Sequence, residues 1–155
     1  MNRSLEDLGW NGTFQAAFDA LEADTWMPAR VVRENRGQYV VDLGDEERIA
    51  LLAGTFRKER EDSPAMPTVG DWVALEKTGL GDDLIVRAVL PRRSLVNRQA
   101  AGKGSLNQSI ASNVDSLFLM SGLDGDLNIR RIQRYLTLAL NTGVQPVIVL
   151  NKTDL

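Results

Sequence analysis

The 155-residue chain contains no cysteine and no histidine. The first absence excludes disulfides and thiolate chemistry. The second removes the side chain that most often moves protons near neutral pH, and the two together remove the usual zinc ligands. No apolar run is long enough to cross a bilayer, and the opening Met1-Asn2-Arg3-Ser4-Leu5-Glu6-Asp7 does not have the form of a signal peptide. These absences predict a soluble cytoplasmic protein without a membrane partner. A net charge of -3, from 18 basic and 21 acidic residues, excludes general coating of a polyanion. A hydrophobic content of 43% is that of a globular chain, with room for one domain or a small domain plus part of another.

Residues 1–25 are acidic and place Phe14, Phe18 and Leu21 at helical spacing, which predicts a short amphipathic helix packed on the strands after it. From Trp26 the period shortens. Segments 29–35, 37–43, 47–52, 70–76 and 84–90 read as five short strands, with turns at Asn35-Arg36-Gly37, Gly44-Asp45 and 79–83. A charged, proline-containing loop over 54–67 separates the third strand from the fourth. Five antiparallel strands with that break predict a small closed Greek-key barrel of the OB type, an SH3-like barrel being the alternative left open by periodicity. Val31, Val40, Leu51, Val73 and Ile85 are candidate core members. Trp72 is expected in the core rather than as a stacking platform, as strand aromatics usually pack inward.

From Leu84 to Val114 there is no acidic residue, yet Arg87, Arg92, Arg93, Arg98 and Lys103 all fall there. This stretch reads either as a solvated basic linker over 94–114 or as a zone that contacts phosphates between two domains. Small residues over 100–105 favour mobility.

An α/β pattern comes next. Residues 116–121 form a near-continuous apolar strand, as in a buried parallel sheet. Asn128 is a plausible N-cap for a helix with Ile129, Ile132, Leu136, Ala139 and Leu140 on one face and Arg130, Arg131 and Arg134 away from it. Gly143 ends that helix, and Pro146 leads into the strand 147–150. Two strands and one helix leave one sheet face uncovered.

The last strand runs into Asn151-Lys152-Thr153-Asp154. An apolar strand entering Asn-Lys-x-Asp has the spelling of a guanine-reading loop. A buried Asp carboxylate accepts from guanine N1–H and N2–H2 together, a donor pair adenine lacks. The Asn amide holds the loop, and the Lys stem lies along the ring while its ammonium stays wet. A ligand loop at the carboxyl end of a strand obeys the rule for open α/β sheets. Upstream, nothing fits Gly-x4-Gly-Lys-[Ser/Thr]; Ala101-Gly102-Lys103-Gly104-Ser105 has glycine where the hydroxyl residue belongs and reads as a flexible loop. Either a phosphate loop lies after residue 155 or the chain is not a GTPase, and the chain is expected to be a fragment of a longer protein.

A barrel, an arginine-rich connector and a GTPase segment that reaches its guanine motif first resemble the RsgA/YjeQ family of ribosome small subunit-dependent GTPases. The segments Leu8-Gly9-Trp10, 69–73, 89–94, 111–115, 131–136 and 151–155 carry the likeness by their order and spacing. The resemblance implies an N-terminal OB domain (26–93) behind a helical extension (1–25), a basic linker (94–114) and the truncated start of a circularly permuted P-loop GTPase domain (115–155). It implies GTP or GDP with Mg2+, a C-terminal zinc region whose ligands are not in this chain, and the small ribosomal subunit with its 16S-type rRNA as partner. It further implies a monomer at full length. Of the nucleotide site, Asn151, Lys152, Thr153 and Asp154 carry over. The remaining catalytic parts lie beyond Leu155, so the fragment alone is expected not to hydrolyse GTP. For RNA, the candidates are Arg30, Arg33, Arg36, Arg92, Arg93, Arg98 and Lys103, with Tyr39 and Trp72 as available stackers. Two readings compete with the enzyme: an RNA-binding OB module with a non-catalytic α/β tail, and a purely structural interaction domain.

Overall fold

In a computed structural model, which describes residues 3–35, 37–58, 63, 65–79, 83–99, 107–125 and 127–154, five strands close a barrel. They are β1 (Trp26–Asn35), β2 (Gln38–Asp42), β3 (Glu47–Leu52), β4 (Trp72–Lys77) and β5 (Leu84–Val89). Hydrogen bonding runs β1-β2-β3-β5-β4 and back to β1, with β3 and β5 parallel and every other pair antiparallel. This is the OB arrangement, and it settles the choice against an SH3-like barrel.

The barrel interior is filled by Ala29, Val31, Tyr39, Val41, Ala50, Val73, Leu75, Leu84 and Val86. Val31 and Val73 are core members as expected. Val40, Leu51 and Ile85 are not: Val40 and Ile85 are half-buried and Leu51 is 40% exposed. The reason lies in their neighbours. On β2 and β5 both faces are apolar, so a period of two gives two equivalent registers. A bulge between Val31 and Arg33 and another between Ala74 and Leu75 then decide which set turns inward.

A second cluster seals one side of the barrel. After a 3-10 turn at Glu6–Leu8, Asn11 caps helix α1 (Gly12–Asp19), accepting from Thr13 N at 3.0 Å and Phe14 N at 3.3 Å. Trp10, Phe14, Trp72 and Leu90 form its buried centre, with Leu5, Leu8, Phe18 and Leu21 around them. Trp10 meets Trp72 edge to face at 4.7 Å between centroids, and Trp10 Nε1 donates to Gln15 Oε1 at 3.0 Å. The N-terminal helix thus packs on the barrel as its spacing predicts.

The stretch expected as a basic linker carries a hairpin, β6 (Leu95–Gln99) and β7 (Asn107–Ser112). Its polar residues (Asn97, Gln99, Asn107, Gln108, Ser109) hide any alternation, and the glycine-containing 100–105 segment lies outside the described residues. Gly70 welds this hairpin to the barrel. Its φ is +94°, and a Cβ there would run into the Ser112 carbonyl. Ser112 N donates to Val69 O at 2.8 Å, Asn113 Nδ2 to Gly70 O at 3.0 Å, and Arg93 N to Asn113 Oδ1 at 2.9 Å.

The chain then forms β8 (Ser116–Gly122), helix α2 (Ile129–Asn141) and β9 (Gln145–Asn151), with β8 and β9 parallel from Ser116↔Gln145 to Gly122↔Asn151. Asn128 caps α2 by accepting from Arg131 N at 2.9 Å, and Gly143 comes after the helix at φ +70°. Leu119 and Ala139 are buried between sheet and helix. Ile129 and Leu140, expected on the buried face, are 63% and 64% exposed, while Arg131, expected away from it, is half-buried. The contact stripe through Ile132, Tyr135, Leu136 and Ala139 is rotated toward Arg131, so Ile129 and Leu140 fall on its outer flank. The opposite sheet face is open, with Phe118 67% and Met120 66% exposed.

Candidate guanine-nucleotide site

Strand β9 delivers Asn151-Lys152-Thr153-Asp154 to the carboxyl end of the parallel pair, beside the end of β8. The ladder extends one step past the strands, where Leu123 N donates to Asn151 O at 2.9 Å. Asn151 Oδ1 accepts from Lys152 N at 2.9 Å, so the amide holds the loop as its place in the motif requires. Lys152 adopts φ +58°, the left-handed region that costs a side-chain-bearing residue about 1 kcal/mol or more. Its ammonium donates to Asp124 Oδ2, in the loop after β8. Thr153 and Asp154 form the next turn, and all four motif residues are exposed. The motif's chemistry calls for a buried Asp154, whereas its carboxylate is open to water.

Sequence reasoning missed Asp124. A single acid in a turn gives no signal until β8 and β9 are known to end side by side.

The arginines expected on RNA are placed very differently from one another. Arg92 is sequestered: Nε donates to Asp71 Oδ1 at 2.7 Å, and Nη2 to Asp71 Oδ2 at 2.6 Å and to Met66 O at 2.7 Å. Its side chain is 13% exposed and that of Asp71 0%. Arg30 donates to Leu8 O and lies 5.7 Å over the Trp72 ring; burial lowers its guanidinium from the usual value, with Asp115 opposing the shift. Arg93 pairs with Asp115 at 3.2 Å and sits 5.7 Å over the Phe14 ring. Arg30, Arg92 and Arg93 are therefore each engaged within the protein, Arg93 in an ion pair that leaves its side chain 46% exposed. Arg33 is exposed on β1. Arg36 and Lys103 lie outside the described residues, as does the side chain of Arg98. Tyr39 and Trp72, the available stackers, are each 1% exposed and cannot receive a base.

Among the described residues no group of three or more acidic side chains is placed to hold a metal ion. With no Cys or His in the sequence, this chain offers none of the usual ligands for zinc, which the resemblance places outside it.

A family model described as RsgA GTPase matches residues 89–155. Over 160 residues the chain is 41% identical to the small ribosomal subunit biogenesis GTPase RsgA of Opitutus terrae, a match covering 98% of this chain and 44% of that protein. Residues 89–155 thus match the RsgA GTPase family, and the whole chain is similar to RsgA proteins. It is 37% identical to the RsgA of Syntrophotalea carbinolica over 98% of its own length and 43% of the relative's. It thus spans less than half the length of these curated RsgA relatives. Among solved structures, YjeQ from Thermotoga maritima superposes with a TM-score of 0.61 at 23% identity, over 83% of this chain and 42% of that one. YloQ, described as a circularly permuted GTPase, gives 0.58 at 21% identity, over 84% and 42%. These two carry the fold alone: a closed five-stranded barrel followed by an α/β segment.

Proposed function

We propose that this chain is the barrel and guanine-loop portion of a GTPase that binds the small ribosomal subunit and hydrolyses GTP during its late maturation. The observation that carries the reading is Asn151-Lys152-Thr153-Asp154 at the carboxyl end of β9, held open by its own Asn amide. Similarity to proteins named small ribosomal subunit biogenesis GTPase RsgA supports it. In this reading Asp154 reads the guanine edge, Asn151 fixes the loop, Lys152 flanks the ring, and Thr153 spaces them. GTP or GDP binds with Mg2+, whose ligands, with the phosphate loop and switch segments, lie past residue 155; zinc belongs to a later region. Residues 26–93 are the RNA-contacting domain, 94–114 the connector and 115–155 the start of the GTPase domain. The complete protein works as a cytoplasmic monomer.

The test is GTP turnover by the complete protein with and without purified small ribosomal subunits. Subunits are expected to raise turnover at least about tenfold, below the gain that one added charge-stabilising contact can supply in phosphoryl transfer. Unchanged turnover would sink the ribosomal reading while leaving guanine binding intact.

For 16S-type rRNA, the burial of Tyr39 and Trp72 supports backbone and shape recognition rather than base stacking. Arg33→Ala is expected to reduce the slope of log affinity against log salt by about 0.7–0.9, one phosphate contact. Filter binding at several salt concentrations measures it; a slope equal to wild type removes Arg33 from the interface.

A further inference from the structure

The loop after β8 is built into the guanine site more closely than the motif alone requires. Gly122 faces Asn151 across the parallel pair, and the next residue, Leu123, bonds back to Asn151 O. One residue further on, Asp124 turns its carboxylate toward Lys152 and receives the ammonium. The backbone of Asp124 is itself fixed by a turn, with Leu127 N donating to Asp124 O at 3.2 Å. Gly122 is the floor beneath this pair. A Cβ there would stand 2.7 Å from Asp124 Oδ1 and 3.5 Å from Lys152 Cδ. The Lys152 side chain thus passes close over Gly122 on its way from a left-handed Cα to the carboxylate.

We propose that Asp124 is a positioning residue of the guanine site: by holding the Lys152 ammonium it lays the lysine stem across Gly122 as a preformed platform for the face of the purine ring. Rotamer freedom of a lysine on an exposed loop is large, and a ligand that had to order it would bind more weakly. With Asp124 in place, much of that ordering is complete before the base arrives. The platform serves any purine face, whereas Asp154 reads the edge. Asp124 thus sets how tightly a purine nucleotide is held and leaves base choice to Asp154. The inference rests on the guanine reading of the β9 loop.

The experiment measures binding of fluorescently labelled GDP and IDP to the complete protein. IDP lacks the exocyclic amine, so the GDP-to-IDP affinity ratio reports on Asp154. Asp124→Asn is expected to weaken both nucleotides by about fivefold, the scale of one half-exposed ion pair, with the ratio unchanged. Asp124→Glu is expected to retain most of the wild-type affinity. In a Lys152→Met background, which keeps an apolar stem and removes the ammonium, Asp124→Asn should have no further effect. The proposal is overturned if Asp124→Asn leaves both affinities unchanged. It is equally overturned if the ratio collapses with them, because the carboxylate then merely keeps the loop folded, or if the same loss recurs in the Lys152→Met background. Asp154→Asn is the control. If it fails to alter base preference the guanine reading itself is wrong, whereas a normal response there with no effect of Asp124→Asn rejects only the platform.

Discussion

Arg92→Ala is expected to destabilise the protein by about 3–5 kcal/mol, the cost of stranding a buried charge when its partner is removed. Asp71 is 0% exposed. Its carboxylate accepts both arms of the Arg92 guanidinium and also the Thr68 backbone N–H at 2.8 Å. Without Arg92 one backbone donor would remain for a full negative charge sealed from water. Arg92→Lys is not a rescue, because an ammonium cannot reproduce two parallel bonds to Asp71 and a third to Met66 O. Replacing both members, with Asp71→Asn and Arg92→Met, should recover most of the loss, since the pair's attraction and its desolvation largely cancel. Urea unfolding followed by tryptophan fluorescence measures this well: Trp72 adjoins Asp71 in sequence and lies at the centre of the Trp10–Phe14 cluster. A variant as stable as wild type but deficient in RNA binding would restore Arg92 to the surface role suggested by the basic stretch.

The placement of Arg92 shows where sequence legibility stops. A run without acids from Leu84 to Val114 reads as unopposed positive charge. The opposing carboxylates are supplied by the fold: Asp71 from the turn before β4 and Asp115 from the residue before β8. Charge counted along the chain cannot see a partner 21 residues away. By the same logic Tyr39 is visible in the sequence as an aromatic, but its exclusion from base stacking emerges only when the barrel closes over it, whereas Trp72 is buried as expected, under the N-terminal helix.

Four of the five barrel strands are legible to within two residues at each end, because turns at Gly37 and Gly44 and the charged loop before Gly70 punctuate them, whereas β1 starts three residues earlier than expected, at Trp26. Which face of β2, β3 and β5 turns inward is not, because Val40, Ile49, Leu51 and Ile85 make the outer face apolar too. The hairpin β6–β7 escapes notice for the opposite reason: its largely polar strands show no alternation, and hydrogen bonds from Ser112 N and Asn113 Nδ2 tie its end to the Val69-Gly70 turn. At the candidate site the motif residues and the N-cap Asn128 are readable from local chemistry. Asp124 is not, since its meaning depends on β8 and β9 being parallel neighbours. The uncovered face bearing Phe118 and Met120 is expected from element count alone.

The most direct measurement is calorimetric titration of the complete protein, wild type and Asp154→Asn, with GDP and XDP. In guanine the carboxylate of Asp154 would accept from N1–H and N2–H2. An amide in its place sets a donor against the N2–H2 donor, and GDP affinity is expected to fall roughly 100-fold, the cost of unpairing such a group. Xanthine carries an oxygen at that position, so the same amide donates to it, and XDP should become the preferred ligand. A protein in which Asp154→Asn binds GDP as tightly as wild type, with no gain for XDP, would show that the loop closing β9 does not read the base.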